Sequence, residues 1–463
     1  DVTGPVPADG DAAMKYENLR KGLVGSMLNV RGVAEVRKVQ KIAVEETRLG
    51  IPLIIGFDMI HGYKTMSPIP LAEAASWDLA AIEKAAHIGA VEAAAAGISW
   101  TFAPMVDIGR DARWGRVMEG AGEDPYLGSK IAVARVNGFQ GNDLADPLTI
   151  AACVKHFAGY GFSESGRDYN TVDIGTSTLY NMVLPPFKAA SDAGARTFMN
   201  AFNVLNGIPA TGNSLLQRDI LKGEWGFDGF VVSDWGSIGE MIVHGYAANG
   251  SEAARLAALA GSDMDMESYL YVKELKGLVD DGKVDVALIN DAARRILKVK
   301  FELGLFDDPY RYCDEQREKD LTGHPDHVAG VLDMAKKSIV LLKNDGNLLP
   351  LKKTGQKIAV IGALATDKDS PIGRGGADAN TAVSVLEGLQ QYTGNQYNYS
   401  KGADLVTEPA TFLLEVKINE SDKSGFPAAV QAAKNSDVVV IVLGENGFQS
   451  GEGRSRTDIS LPG

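Results

Sequence analysis

Over roughly the first 300 residues, short aliphatic runs alternate with alanine-rich stretches of helical period. The runs at residues 51–57, 100–106, 149–156, 195–202 and 229–234 are rich in β-favouring side chains, and 261–266 is a shorter candidate. Between them, residues 79–96 and 178–192 read as helices. Near-continuous apolar runs suit parallel strands covered on both faces, so the alternation is that of repeated βα units. Its span predicts a (β/α)8-like, TIM-type barrel over residues 1–310. Fewer than eight strands are clear, so some units are degenerate or missing. The helix that closes the region is the most regular: Ile289, Ala293, Ile296, Lys300 and Leu303 recur at helical spacing, and Gly304 stops it.

The pattern then changes. Asp307-Asp308-Pro309 and a charged run after it predict a linker over residues 311–335. Residues 328–343 read as a helix or a helix-to-strand element, and 357–361 and 438–443 as aliphatic strands preceded by helical segments. These predict a smaller α/β sandwich domain over residues 336–463. Gly362 follows the first of these strands but lacks the further glycines that let a pyrophosphate approach the backbone, which argues against a dinucleotide site. Gly373-Arg-Gly-Gly376 reads as a loop rather than a phosphate cradle.

Whole-chain figures narrow the function classes. With 463 residues, 45% hydrophobic and 23% charged, the composition is globular and the length suits two or three domains. Asp plus Glu outnumber Lys plus Arg by 60 to 46, a net charge of −14, and no basic cluster offsets it, so nucleic acid and anionic membrane are poor partners. No apolar run approaches the ~20 residues of a spanning helix, and the first residues do not read as a signal peptide. Cys153 and Cys313 lack metal spacing and read as two unpaired thiols.

The predicted strand ends carry the candidate chemistry. Asp234 and Trp235 end the stretch Asp228-Gly-Phe-Val-Val-Ser-Asp-Trp-Gly236. A carboxylate there is placed for chemistry, although it equally suits capping of a helix starting near Ser237. Asp58 with His61, Arg113 with Arg116, and Lys155 with His156 stand at or after other strand ends. Such a mixture fits a pocket that grips a neutral, hydroxyl-rich ligand and stacks it on an indole. Singly, each admits a plainer role: Asp58 a salt bridge, Lys155-His156 a structural pair, and Arg113 or Arg116 an ion pair with Glu119, Glu123 or Asp124. Lys155 also admits a Schiff-base lyase.

Taken in order, several stretches resemble glycoside hydrolase family 3 β-glucosidases of the bacterial periplasmic or secreted type. They are Gly56-Phe-Asp-Met-Ile-His-Gly-Tyr-Lys-Thr65, Arg113-Trp-Gly-Arg116, Gly122-Glu-Asp-Pro125, Lys155-His-Phe157, Tyr169-Asn-Thr-Val-Asp173, Leu205-Asn-Gly-Ile-Pro-Ala210 and Val232-Ser-Asp-Trp235. The resemblance implies a retaining β-D-glucosidase acting on short β-glucosides and oligosaccharides, with no metal or organic cofactor. Asp234 matches the nucleophile and Trp235 the aromatic wall beside it. Asp58, Arg116, Lys155 and His156 match groups that take sugar hydroxyls, while Met199 and Phe202 match pocket-lining positions. Many relatives have Tyr where this chain has Phe202, so one hydroxyl near the nucleophile is missing. Glu452, in a loop of the second domain, matches the acid/base, with Glu445 as its competitor. Lys155 and Arg116 are expected to help keep Asp234 ionised, and a retaining mechanism separates its two carboxyl groups by roughly 5 to 5.5 Å.

The absence of histidine between Ala158 and Asn170 argues against the N-acetylglucosaminidase branch, and Asp rather than Glu at position 58 leaves room for a hydroxymethyl group. A β-xylosidase or α-L-arabinofuranosidase on the same scaffold, and a non-catalytic sugar-binding protein, stand as alternatives. The resemblance further implies a small-molecule glycoside as partner, with no nucleic acid and no membrane insertion, and a homodimer is compatible with it. It also implies a periplasmic or secreted location, a helix preceding Asp1 and a second domain continuing past Gly463.

Overall fold

A computed structural model describes residues 10–370, 382–411 and 414–462. The loop Gly373–Gly376 lies outside the described residues. Strands β1 (Ser26–Leu28), β2 (Ile54–Phe57) and β3 (Trp100–Thr101) form a parallel sheet in that order. Strands β4 (Cys153–Phe157), β5 (Thr197–Asn200) and β6 (Phe230–Val232) form a second. Parallel bridges from Trp100 to Ala151 and from Met105 to Lys155 join the two sheets, and one from Val232 to Met264 extends them past β6. The described strands thus make two open sheets linked by single bridges. Helices Leu79–Ala95, Pro125–Gln140 and Leu184–Asp192 pack side by side over the strands.

Every residue of β2 through β6 is buried, as expected of parallel strands covered on both faces. Trp100 fills the interior: its indole N–H donates to Thr197 Oγ1 at 2.8 Å and its ring meets Phe230 edge-on at 5.4 Å. Gly56 makes room for these rings, since a Cβ there would lie 2.7 Å from Phe102 Cζ. The run at 100–106 yields only a two-residue strand because Pro104 has no N–H to give the ladder. Of the run at 261–266, only Met264 pairs with a neighbour.

Helix Val286–Glu302 ends as the sequence predicts, with Gly304 in the left-handed region at φ 68°. On this helix Lys300 is buried, and its ammonium donates to the carbonyls of Gly25 and Pro52 at 2.7 Å each, tying the entries of β1 and β2 together.

Within residues 311–335 two helices form, Glu315–Leu321 and Pro325–Lys337, and the second lays Met334 against Ile82 and Ala85. Residues 338–344 carry no strand, so the element stops at Lys337. The second sheet layer contains β7 (Thr354–Ile361), β8 (Gly394–Ser400) and β9 (Val438–Ile441), all parallel, with β7 in the middle. Strand β8 escaped the sequence reading because Gly-Asn-Gln-Tyr-Asn-Tyr-Ser is almost wholly polar. Cys153 and Cys313 are both buried and unpaired. No helix among the described residues is long and apolar enough to cross a membrane.

Candidate active site

A cavity of about 380 Å³ opens where β2, β4, β5 and β6 end. Asp58, Arg116, Lys155, Met199, Phe202, Asp234, Trp235 and Glu452 all line it, so eight of the nine residues favoured by the family resemblance meet in one place. The ninth, His156, lies behind the wall, fully buried, with Nε2 3.7 Å from Asp234 Oδ2. An adjoining crevice of about 310 Å³ between β1 and Met264 is mainly apolar and shares Trp235 and Phe102 as walls. The polar cavity is where carboxylates and cations converge.

Asp234 follows β6 directly, and Ser233 fixes the turn: its N–H donates to Met264 O at 2.9 Å and its hydroxyl accepts the Met266 N–H at 2.8 Å. Asp234 Oδ1 accepts its neighbour Trp235's N–H at 2.7 Å, while Oδ2 is buried without a hydrogen-bond partner. The capping role open to it in sequence is not taken, because helix Ser237–Val243 begins after Gly236 with no side-chain cap. Burial dominates its ionisation and pushes the carboxyl up to about 7, although Arg116 and Lys155 pull the other way. Both cations thus favour the ionised form, as expected, while desolvation of a carboxyl this deep sets the larger opposing effect.

The cations are themselves committed. Lys155 donates to Asp58 Oδ1 at 2.9 Å, which anchors an otherwise exposed carboxylate at the rim. Arg116 makes a bidentate pair with Glu119 at 2.8 and 3.0 Å, and its Nη1 reaches to 3.7 Å from Glu452 Oε1. His156 gives both its backbone N–H and Nδ1 to Asp107 Oδ2, at 2.8 and 2.9 Å. Burial holds the imidazole well below its ordinary pKa and pushes the Asp107 carboxyl up to about 7. His61 and Arg113, candidates from the strand ends, also fall outside the cavity. His61 is buried with Nδ1 on Ser67 O at 2.7 Å, and Arg113 pairs with Asp111 at 2.6 Å.

Glu452 arrives from the other end of the chain. Its loop docks on the turn before Arg116: Gly115 N–H donates to Arg454 O at 2.9 Å, Gly451 N–H to Gly115 O at 2.7 Å, and Arg456 N–H to Arg113 O at 3.0 Å. Asp168 adds to the dock by accepting from Gly453 N–H at 2.7 Å and from Trp114 Nε1 at 2.8 Å. Glu445, by contrast, accepts from Ser450 at 2.6 Å and pairs with Arg456, away from the cavity. Of the lining residues that were not among the candidates, two are titratable: Tyr169, whose hydroxyl donates to Glu452 Oε1 at 2.5 Å, and Glu240, whose carboxyl is raised by burial and by Glu452. Tyr169 heads one of the motif stretches, but nothing in the sequence points to a partner 283 residues away.

Residues 8–299 match the glycosyl hydrolase family 3 N terminal domain, and residues 339–463 match the family 3 C-terminal domain. The chain belongs to glycosyl hydrolase family 3. It is 42% identical to a periplasmic beta-glucosidase of Salmonella typhimurium, over 96% of this chain and 60% of that protein. A beta-xylosidase of Formosa agariphila is 36% identical, over 93% of this chain and 61% of that protein. Among solved structures, the beta-glucosidase from Listeria innocua in complex with glucose superposes with a TM-score of 0.88 at 40% identity, covering 95% of this chain and 59% of that one. The chain therefore spans about 60% of the length of such relatives.

Proposed function

We propose that this chain is the catalytic portion of a retaining β-D-glucosidase that removes terminal glucose from short β-glucosides and oligosaccharides. The observation that carries the reading is a set of unsatisfied buried groups in and directly behind the wall of one cavity. Asp234 Oδ2, His156 Nε2 and Arg116 Nη1 are all buried without a hydrogen-bond partner. Buried polar atoms are normally satisfied, and the hydroxyls of a sugar ring would meet several such groups at once. Trp235, half exposed at the rim, offers the apolar face on which a pyranose stacks.

In the first step the Asp234 carboxylate attacks the anomeric carbon. A bond forms between that carbon and Asp234 oxygen as the bond to the aglycone oxygen breaks, and Glu452 gives its proton to the departing oxygen. In the second step a water oxygen takes the anomeric carbon, its proton passes to Glu452, and the Asp234 ester bond breaks. Two inversions leave the configuration retained. His156, neutral and held by Asp107, acts as a hydrogen-bonding wall rather than as a charge.

The parallel strands are read as a collapsed (β/α)8-type barrel over residues 1–310, and residues 336–463 as the α/β sandwich domain that supplies Glu452. The limits of the two family matches support that division. A periplasmic or secreted location is favoured by the likeness to the periplasmic beta-glucosidase of Salmonella typhimurium. The β-xylosidase among the relatives supports a second reading, a xyloside-directed enzyme. Comparison of kcat/KM on nitrophenyl β-glucoside and β-xyloside separates them. The glucosidase reading expects the glucoside to be preferred, with loss of roughly 10³-fold or more in Asp234→Asn. A clear xyloside preference overturns it.

A further inference from the structure

We infer that Tyr169 is a positioning residue for Glu452, acting through its hydroxyl to set the carboxyl group over the scissile bond. The inference rests on the reading of Glu452 as the acid/base. The Tyr169 hydroxyl lies 2.5 Å from Glu452 Oε1, and the Arg116 guanidinium approaches the same oxygen at 3.7 Å. Both groups belong to the barrel region, whereas Glu452 sits on a loop of the second domain. That loop's backbone is pinned by the preceding residue, since Asp168 accepts from Gly453 N–H at 2.7 Å and its own N–H donates to Ser455 Oγ at 2.8 Å. Adjacent residues thus divide the work, Asp168 holding the loop's backbone and Tyr169 the side chain that reacts.

The Tyr169 ring is itself fixed. It meets Phe202 edge-on at 4.9 Å and lies 6.3 Å from Tyr160, so its hydroxyl has little room to wander. Its backbone sits at φ 58°, in the left-handed region that a bulky aromatic side chain rarely adopts. Such strain persists where the surroundings over-determine a conformation, and here it aims the phenol at Glu452. Burial, then the neighbouring Glu452, raises the phenol's pKa, so it remains a donor throughout the working range.

The chemistry gives the contact a purpose. When Glu452 loses its proton to the departing oxygen it becomes a carboxylate, and a phenol donating to that carboxylate stabilises what the step creates. In deglycosylation the same bond orients the carboxylate that takes the water proton. A missing hydroxyl therefore weakens proton transfer rather than sugar binding.

Tyr169→Phe keeps the ring and removes the hydroxyl. The test compares kcat/KM of wild type, Tyr169→Phe and Glu452→Gln on aryl β-glucosides graded from dinitrophenyl to phenyl, with alkyl glucosides beyond. Tyr169→Phe is expected to change the dinitrophenyl substrate little, which doubles as a check on folding, and to lose roughly 10- to 100-fold on poor leaving groups. Its slope against leaving-group acidity should steepen in the same direction as that of Glu452→Gln. A uniform loss across the series assigns the hydroxyl a structural role and overturns the inference, as does no loss at all. If Glu452→Gln itself shows no leaving-group dependence, the acid/base reading fails first and the Tyr169 assignment falls with it.

Discussion

At the residue scale, the proposed double displacement asks Asp234 to attack as a carboxylate and Glu452 to deliver a proton from the same cavity. Burial raises Asp234 to about 7 while Arg116 and Lys155 lower it. Because the nucleophile must be ionised, activity should fall as pH drops through that value. The acid limb of kcat/KM on a dinitrophenyl glucoside, which needs no acid assistance, is expected near pH 7, and a limb near 4 would contradict the balance. Replacing Lys155 by Met removes a lowering charge, so the limb should move upward in that variant. Glu452→Gln should cost roughly 10² to 10⁴ on poor leaving groups, and azide, which needs no general base, should restore its turnover only on activated substrates whose deglycosylation limits the rate, whereas Glu445→Gln, paired within its own loop, should cost little. The place of Asp234 was legible from the aliphatic run it ends, and that of Glu452 only from the family resemblance. Glu240 and Asp107 were not, since their roles come from neighbours that the fold supplies.

At the element scale, the fit between the Glu452 loop and the turn at Trp114-Gly115-Arg116 decides whether the acid reaches the sugar. A Cβ on Gly115 would lie 2.4 Å from Gly451 O and 2.6 Å from Arg454 Cβ, so no other residue allows this approach. Gly115→Ala should leave the N-terminal domain folded, with a melting temperature near wild type, yet reproduce the leaving-group dependence of Glu452→Gln. Wild-type rates on phenyl glucoside would show that the dock is dispensable. The aliphatic strands β2, β4, β5 and β6 could be read from sequence because burial on both faces leaves continuous apolar runs. Three-residue β1 and polar β8 lack that signal, and Pro104 truncates β3 in a way that hydrophobicity does not record. Docking of a loop across more than 280 residues is a tertiary fact with no local pattern.

At the scale of the whole molecule, Lys300 ties the last long helix to the entries of β1 and β2 through carbonyls alone, and burial lowers its amine from 10.5 to about 7. A group depressed on folding contributes stability that is complete above its unfolded pKa and lost as pH falls through the folded value. Resistance to urea should therefore carry a rising component between about pH 7 and 10.5 that Lys300→Met flattens; an unchanged slope would exclude it. Sequence placed Lys300 on the helix's apolar stripe, but not its carbonyl partners. The proposal of a retaining glucosidase with Asp234 as nucleophile is tested by mass spectrometry after incubation with 2-deoxy-2-fluoro-β-glucosyl fluoride. It predicts one fluoroglucosyl group on the peptide containing Asp234. An adduct on another side chain, or none in protein that hydrolyses glucosides, would contradict it.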